Sequence, residues 1–248
     1  MPDDSTLTLK LAQTDLWLGL VIANIIIFLW LISLAIFLRL DLAQVPLMLI
    51  VVGVLVRSFL HTGLFIITHE AIHGAISSSP QVNKFIGNIT AFLYAWLLYK
   101  VLAENHRLHH RHPASDLDPD FHPQNPGHFI GWYGSFMKEY QKGKQAWVLF
   151  VGMTVVFWIF IGLNVSLVNI ILFWLLPILL SSLQLFTFGI FLPHRTTKAG
   201  YSDRHRARST NYSVFLSFIT CYHFGYHWEH HRYPDLPWYK LPSVHQPR

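Results

Sequence analysis

Residues 16–38 read LWLGLVIANIIIFLWLISLAIFL, twenty-three residues without a formal charge, and that run decides the fold class. A helix of this length rises far enough to cross a hydrocarbon core about 30 Å thick, and it satisfies its own backbone groups there. Residues 46–68 are a second such run, broken only by Arg57 and His61, so the two form a hairpin turning at Arg39 to Gln44. Residues 146–163 and 167–192 form a second hairpin around the tight turn Asn164 to Ser166, with Pro177 kinking the longer helix. A fifth apolar stretch, Phe85 to Tyr99, has fifteen residues; it is short for a span and reads as re-entrant or interfacial. The expected fold is an all-α integral membrane protein in one domain, residues 1–248. It has four transmembrane helices in two hairpins, the short apolar segment, and a histidine-rich helical cap on the cytoplasmic side.

Composition agrees. The chain is 52% hydrophobic and only 12% charged, with mean hydropathy +0.37, which excludes a disordered chain and an ordinary soluble globule. The single cysteine, Cys221, excludes an intrachain disulfide and a cysteine-ligated zinc or iron–sulfur site. The run from Leu16 is too long for a signal-peptide core, and only Lys10 precedes it as a basic residue. Segment 68–145 carries seven Lys and Arg and segment 193–248 carries eight, against one each in the N-terminal arm and the 39–45 turn and none in the 164–166 turn. Basic loops stay in the cytoplasm, so both termini and both long loops are expected there. The basic balance reads as topology and contact with anionic lipid; no nucleic-acid-binding pattern accompanies it.

All sixteen histidines lie in 61–128 or 194–245. Three compact clusters stand out: His69 and His73 in THEAIHG; His106, His109 and His110 in NHRLHH; and His227, His230 and His231 in YHWEHH. Spacings of three and four put imidazoles on one helical face a turn apart, where nitrogens can converge on a metal. An isolated pair reads as a surface or snorkelling histidine, but three clusters on one side of the membrane do not. Eight imidazoles exceed what one ion takes from a protein, so two metals are the economical reading, and imidazole alone does not choose among iron, copper, nickel and zinc. His69, Glu70 and His73 also spell H-E-x-x-H, the zinc metalloprotease signature. An intramembrane protease would need one further ligand and would leave the other two clusters without a role.

Ligating histidines commonly give their second ring N–H to a carboxylate, which fixes the tautomer. Glu70 and Glu229 inside the boxes, and Asp116, Asp118 and Asp120 after the second, read as such partners, with a solvated loop as the alternative for the aspartates. His61 reads as a hydrogen-bonded interior residue, and His112, His122, His128, His205 and His245 as solvated loop residues.

The three boxes resemble those of the membrane di-iron superfamily of fatty-acid desaturases, alkane hydroxylases and carotenoid oxygenating enzymes. Longer strings, FIITHEAIHG, NHRLHHRHPASDLDPDFH, SSLQLFTFGIFLPH and SFITCYHFGYHWEHHRYPDLPWYKLP, are similar to the bacterial and cyanobacterial β-carotene ketolases, from about Phe65 to Leu241. Glu70 departs from the aspartate of those enzymes but keeps the acid. The resemblance makes the eight box histidines iron ligands and His194 a ninth. His223, four residues before His227, is a ligand or supporting residue if its helix continues. It implies oxidation of the C4 methylene of β-ionone rings to a ketone, β-carotene to echinenone to canthaxanthin, by two O2-dependent hydroxylations and a dehydration. A carotenoid hydroxylase or fatty-acid desaturase of the same superfamily is the alternative. With no G-x-G-x-x-G motif and no cysteine set, the electrons are expected from ferredoxin or another reductase system. Basic residues at 138–144 and 204–208 could dock such a donor or anchor to lipid.

Overall fold

A computed structural model describes residues 16–122, 124, 127–196, 200–201 and 203–246; Lys10 and the N-terminal arm lie outside them. In chain order the helices are α1 (Leu16–Leu38), α2 (Leu47–His73), α3 (Pro80–Ala95), α4 (Tyr99–Arg111), α5 (Phe129–Tyr140), α6 (Gly143–Gly162), α7 (Leu167–His194), α8 (Val214–Cys221) and α9 (His227–Arg232), and no strand occurs among the described residues. Helices α1, α2, α6 and α7 are long and apolar enough to cross a membrane. Their most apolar windows are 17%, 56%, 11% and 39% buried, so α2 is the central post, while α1 and α6 keep most of their surface for lipid.

Helix α2 runs five residues beyond the apolar stretch read from sequence, carrying His69 and His73 on its last turns. It stops at Gly74, whose φ of 73° is left-handed; the Gly74 amide returns to Ala71 O and the Ala75 amide to Glu70 O at 2.9 Å. Ser79 then caps α3, accepting the Val82 amide, with Pro80 at the first helical position. Helix α3 packs along α2, with Thr68 and Thr90 hydroxyls 2.8 Å apart, and ends at Ala95 rather than continuing to Tyr99. Trp96, at φ 55°, begins a bend of 100° into α4. Gln145 stitches this bend by accepting the Leu98 amide at 2.8 Å and donating to Trp96 O at 3.2 Å. The short apolar segment is therefore one arm of a broken helix pair, consistent with the re-entrant reading.

Helix α7 contains two wide π-helical segments, Ile171–Leu175 and Phe186–Phe191, each followed within two residues by a proline, Pro177 and Pro193. Proline has no N–H for the carbonyl four residues back, so Pro177 leaves Phe173 O without that donor inside the membrane. Arg57, fully buried on α2, supplies it: Nε donates to Phe173 O at 3.0 Å, and Nη1 donates to Trp30 O and Ser33 Oγ, each at 2.8 Å. An intramembrane arginine thus links α1, α2 and α7 through groups that lipid could not satisfy. His61, one turn along, accepts from Trp30 Nε1 at 3.1 Å, as expected of an interior residue. At the other end Asn169 donates to Phe37 O and Leu40 O at 3.0 and 2.8 Å, satisfying carbonyls freed at the end of α1.

Candidate metal centre

The extended end of α2, helix α4, the last turn of α7 and helix α9 converge at one end of the bundle, and nine histidines meet there in two groups. His69, His73, His106, His110 and His230 form the first; His109, His194, His227 and His231 form the second. In each group one ring nitrogen from every histidine lies within 4.8 Å of those of the others. The second and third boxes are split between the groups. On α4, His106 and His110 stand one turn apart on the face toward the first group, while His109 faces the second; on α9, His227 and His231 face the second group and His230 the first.

The imidazoles meet through Nε2: His73 to His106 at 2.7 Å, His110 to His230 at 2.9 Å, His69 to His230 at 3.2 Å, and His231 to both His109 and His227 at 3.1 Å. Two nitrogens bound side by side on one ion, each about 2.1 Å from it, lie on the order of 3 Å apart. Three of the far nitrogens face acceptors, whereas Nδ1 of His227 and of His231 is buried without a partner. His109 Nδ1 lies 3.0 Å from both Asp118 oxygens and 3.7 Å from Asp120, His194 Nδ1 donates to Arg206 O at 2.8 Å, and His69 Nδ1 lies 3.4 Å from Glu70. A proton fixed on Nδ1 leaves the Nε2 lone pair free as a ligand. His194 Nε2 is buried with no hydrogen-bond partner, as a ligand atom would be without its ion. Burial pushes His227, His230 and His231 well below the ordinary histidine range, and the surrounding imidazoles push them further. These rings are therefore neutral, and the donor set fits two metal ions.

Four sequence expectations are corrected. His223 lies outside both groups: helix α8 ends at Cys221, and Tyr222 and His223 turn with φ of 48° and 61°, so the helical face shared with His227 does not exist. Its ring instead stacks on Tyr226, 5.5 Å between centroids. Asp116 is exposed and supports no imidazole. Glu229 is buried but binds the Ser209 hydroxyl and His245 Nδ1, the latter at 3.0 Å, so it anchors the C-terminal segment rather than a box histidine. His245, expected in solvent, is thereby tied to the cap and stacks on Tyr226 at 3.9 Å. Glu70 accepts the Trp238 amide at 3.1 Å and so is spoken for by the cap, unlike a protease base facing water. His128 caps α5 through Nδ1.

Beneath the groups is an apolar cavity of about 270 Å³. His69 and His106 of the first group and His109 and His227 of the second line it, and Phe65, Tyr94, Phe136 and Phe224 form part of its wall. Along α7 it extends from Leu175 to Ile190, roughly 22 Å at 1.5 Å per residue.

A four-span bundle whose imidazoles form two groups able to hold metal beside an apolar cavity has the build of a membrane metalloenzyme. The profile of the family described as Fatty acid desaturase matches residues 42–144 and 126–247, and the chain belongs to that family. Its curated relatives are ketolases. It is 41% identical over 189 residues to "Beta-carotene ketolase" of Paracoccus sp. (strain PC1), covering 75% of each chain. It is 40% identical over 207 residues to "Beta-carotene ketolase" of Paracoccus sp. (strain N81106), covering 83% of this chain and 82% of that one. "Zeaxanthin 4-ketolase" of Chlamydomonas reinhardtii is 39% identical over 192 residues, 76% of this chain but 42% of that longer protein. No solved structure matches the chain.

Proposed function

We propose that the protein is an O2-dependent carotenoid ketolase that oxidises the C4 methylene of β-ionone rings, taking β-carotene to echinenone and then canthaxanthin. The observation that carries this reading is the long apolar cavity ending on imidazoles of both groups. A stiff polyene can lie along α7 in lipid-like surroundings while its terminal ring reaches the metal centre. His69, His73, His106, His110 and His230 would hold one iron and His109, His194, His227 and His231 the other. Iron bound there supplies the activation of O2, for which the side chains themselves have no chemistry.

The protein's own residues do the rest. Aromatic and aliphatic walls align the ring and exclude water, and Asp118 holds the proton on His109 Nδ1. Each hydroxylation places one atom of O2 in the C–H bond and reduces the other to water, using two electrons and two protons. A second round at C4 gives a geminal diol, which loses water to the ketone. The electrons come from ferredoxin or another external reductase. The Lys and Arg distribution supports an orientation with the centre and both chain ends on the cytoplasmic side of a lipid membrane.

Expression in a bacterium that accumulates β-carotene tests the reading: echinenone followed by canthaxanthin is expected. Hydroxylation at C3 would assign a carotenoid hydroxylase, and unchanged carotene with altered lipid unsaturation a desaturase. Elemental analysis of protein prepared with iron should find close to two irons per chain; a single zinc would revive the protease.

A further inference from the structure

A second cavity, about 680 Å³, approaches the five-imidazole group from a different direction. It lies between the turn after α2, the start of α3 and the first turns of α4. His73 stands in its wall, and it is the one clustered histidine that does; the apolar cavity touches the same group through His69 and His106. The walls are more polar here than in the first cavity, with Ser77 and Asn83 among Ala71, Ile72 and Ala103. Around the opening stand exposed Lys84, Lys100 and Arg107 against one carboxylate, Glu104, which sits 3.8 Å from Lys100.

The reaction proposed above needs two electrons for each hydroxylation, and six of the nine clustered imidazoles are buried under the cap. His73 is only half-buried and faces an open recess with a cationic rim. Substrate and reductant then reach one centre by separate routes, one apolar and one charged.

We propose that this recess is the docking site of an acidic one-electron carrier protein, whose electrons enter through His73. Two reduced carriers dock in turn for each hydroxylation, each leaving oxidised by one electron. The inference rests on the oxygenase reading and adds to it the partner's charge and its place of contact.

The test uses the iron-loaded full chain in nanodiscs of neutral phosphatidylcholine, with a plant-type ferredoxin as the carrier. Lys84→Glu, Lys100→Glu and Arg107→Glu together should raise both the Kd and the KM for ferredoxin about tenfold or more and flatten their dependence on salt. The rate at which dithionite reduces the iron, followed optically, should equal that of the wild type. The same reversal at Lys138, Lys142 and Lys144 should leave both constants unchanged. Lys100→Glu alone, expected to give a smaller shift of the same sign, serves if the triple variant melts early. An unchanged Kd, an effect that moves to the 138–144 triple, or a loss seen only in vesicles containing anionic lipid would overturn the docking site while leaving the ketolase reading intact. A wild type that makes no ketone after dithionite reduction would overturn the ketolase reading, and the docking inference with it.

Discussion

Replacing Asp118 by asparagine tests how the four-imidazole group is held. Asp118 is buried; its Oδ1 accepts the Asp120 amide at 2.9 Å, its Oδ2 accepts the Ala114 amide at 2.8 Å, and both oxygens lie 3.0 Å from His109 Nδ1. An amide turns one of those oxygens into a donor. Whichever way it rotates, one buried backbone N–H then faces another donor, which costs about 1–3 kcal/mol of stability. His109 also loses the negative charge that keeps its proton on Nδ1. Removing such a partner typically lowers metal affinity about 10–100-fold, or about 1.4–2.7 kcal/mol. Asp118 has no bond to the five-imidazole group, so the loss should fall on one metal only. Elemental analysis of iron-loaded protein dialysed against graded chelator reads this directly: Asp118→Asn should release one iron at about 10–100-fold lower chelator activity and retain the other as the wild type does. Loss of both irons together, or wild-type retention of both, would refute the assignment of Asp118 to His109 and of His109 to a separate group.

Further outcomes follow from the geometry. Arg57→Leu should destabilise the bundle through Phe173 O, but less so in a Pro177→Ala background, where the backbone at position 177 regains its N–H; unfolding in mixed micelles should give a coupling of about 1 kcal/mol, one hydrogen bond. Gly74→Ala has room, its Cβ meeting only Asn83 Nδ2 at 3.9 Å, so the left-handed φ alone should cost about 1 kcal/mol and lower the melting temperature. His230→Ala should abolish ketone formation, whereas His245→Ala should lower thermal stability through the lost Glu229 contact and still give product. Cysteines placed at exposed positions 78 and 104 should react with an impermeant reagent from the same side of the membrane, because the bent pair α3–α4 joins boxes that share one centre.

The spans were legible because an uncharged run such as residues 16–38 has one stable form in lipid, and the clusters were legible because spacings of three and four repeat along a helix. Their division into two groups carried a signal that the spacing argument passed over. Neighbouring residues point about 100° apart on a helix, so the pairs His109–His110 and His230–His231 had to face two directions. The exclusion of His223 had no comparable signal, since Tyr222 and His223 take left-handed angles that glycine or asparagine would have announced. Asp116, Asp118 and Asp120 look alike in sequence; only the turn joining the Ala114 and Asp120 amides to Asp118 selects among them. Arg57 read merely as an interruption, because its partner, a carbonyl bared by Pro177, lies 116 residues away.

Both histidine groups close over long stretches of chain: His69 meets His230 across 161 residues, and His109 meets His231 across 122. During synthesis the first two boxes reach the membrane face well before α9 exists, so neither group is complete until α9, with His230 and His231, has left the ribosome. The four spans must therefore insert and hold together before either group is complete. A metal taken up by these groups would then be captured late, once α9 lies on a bundle already in place.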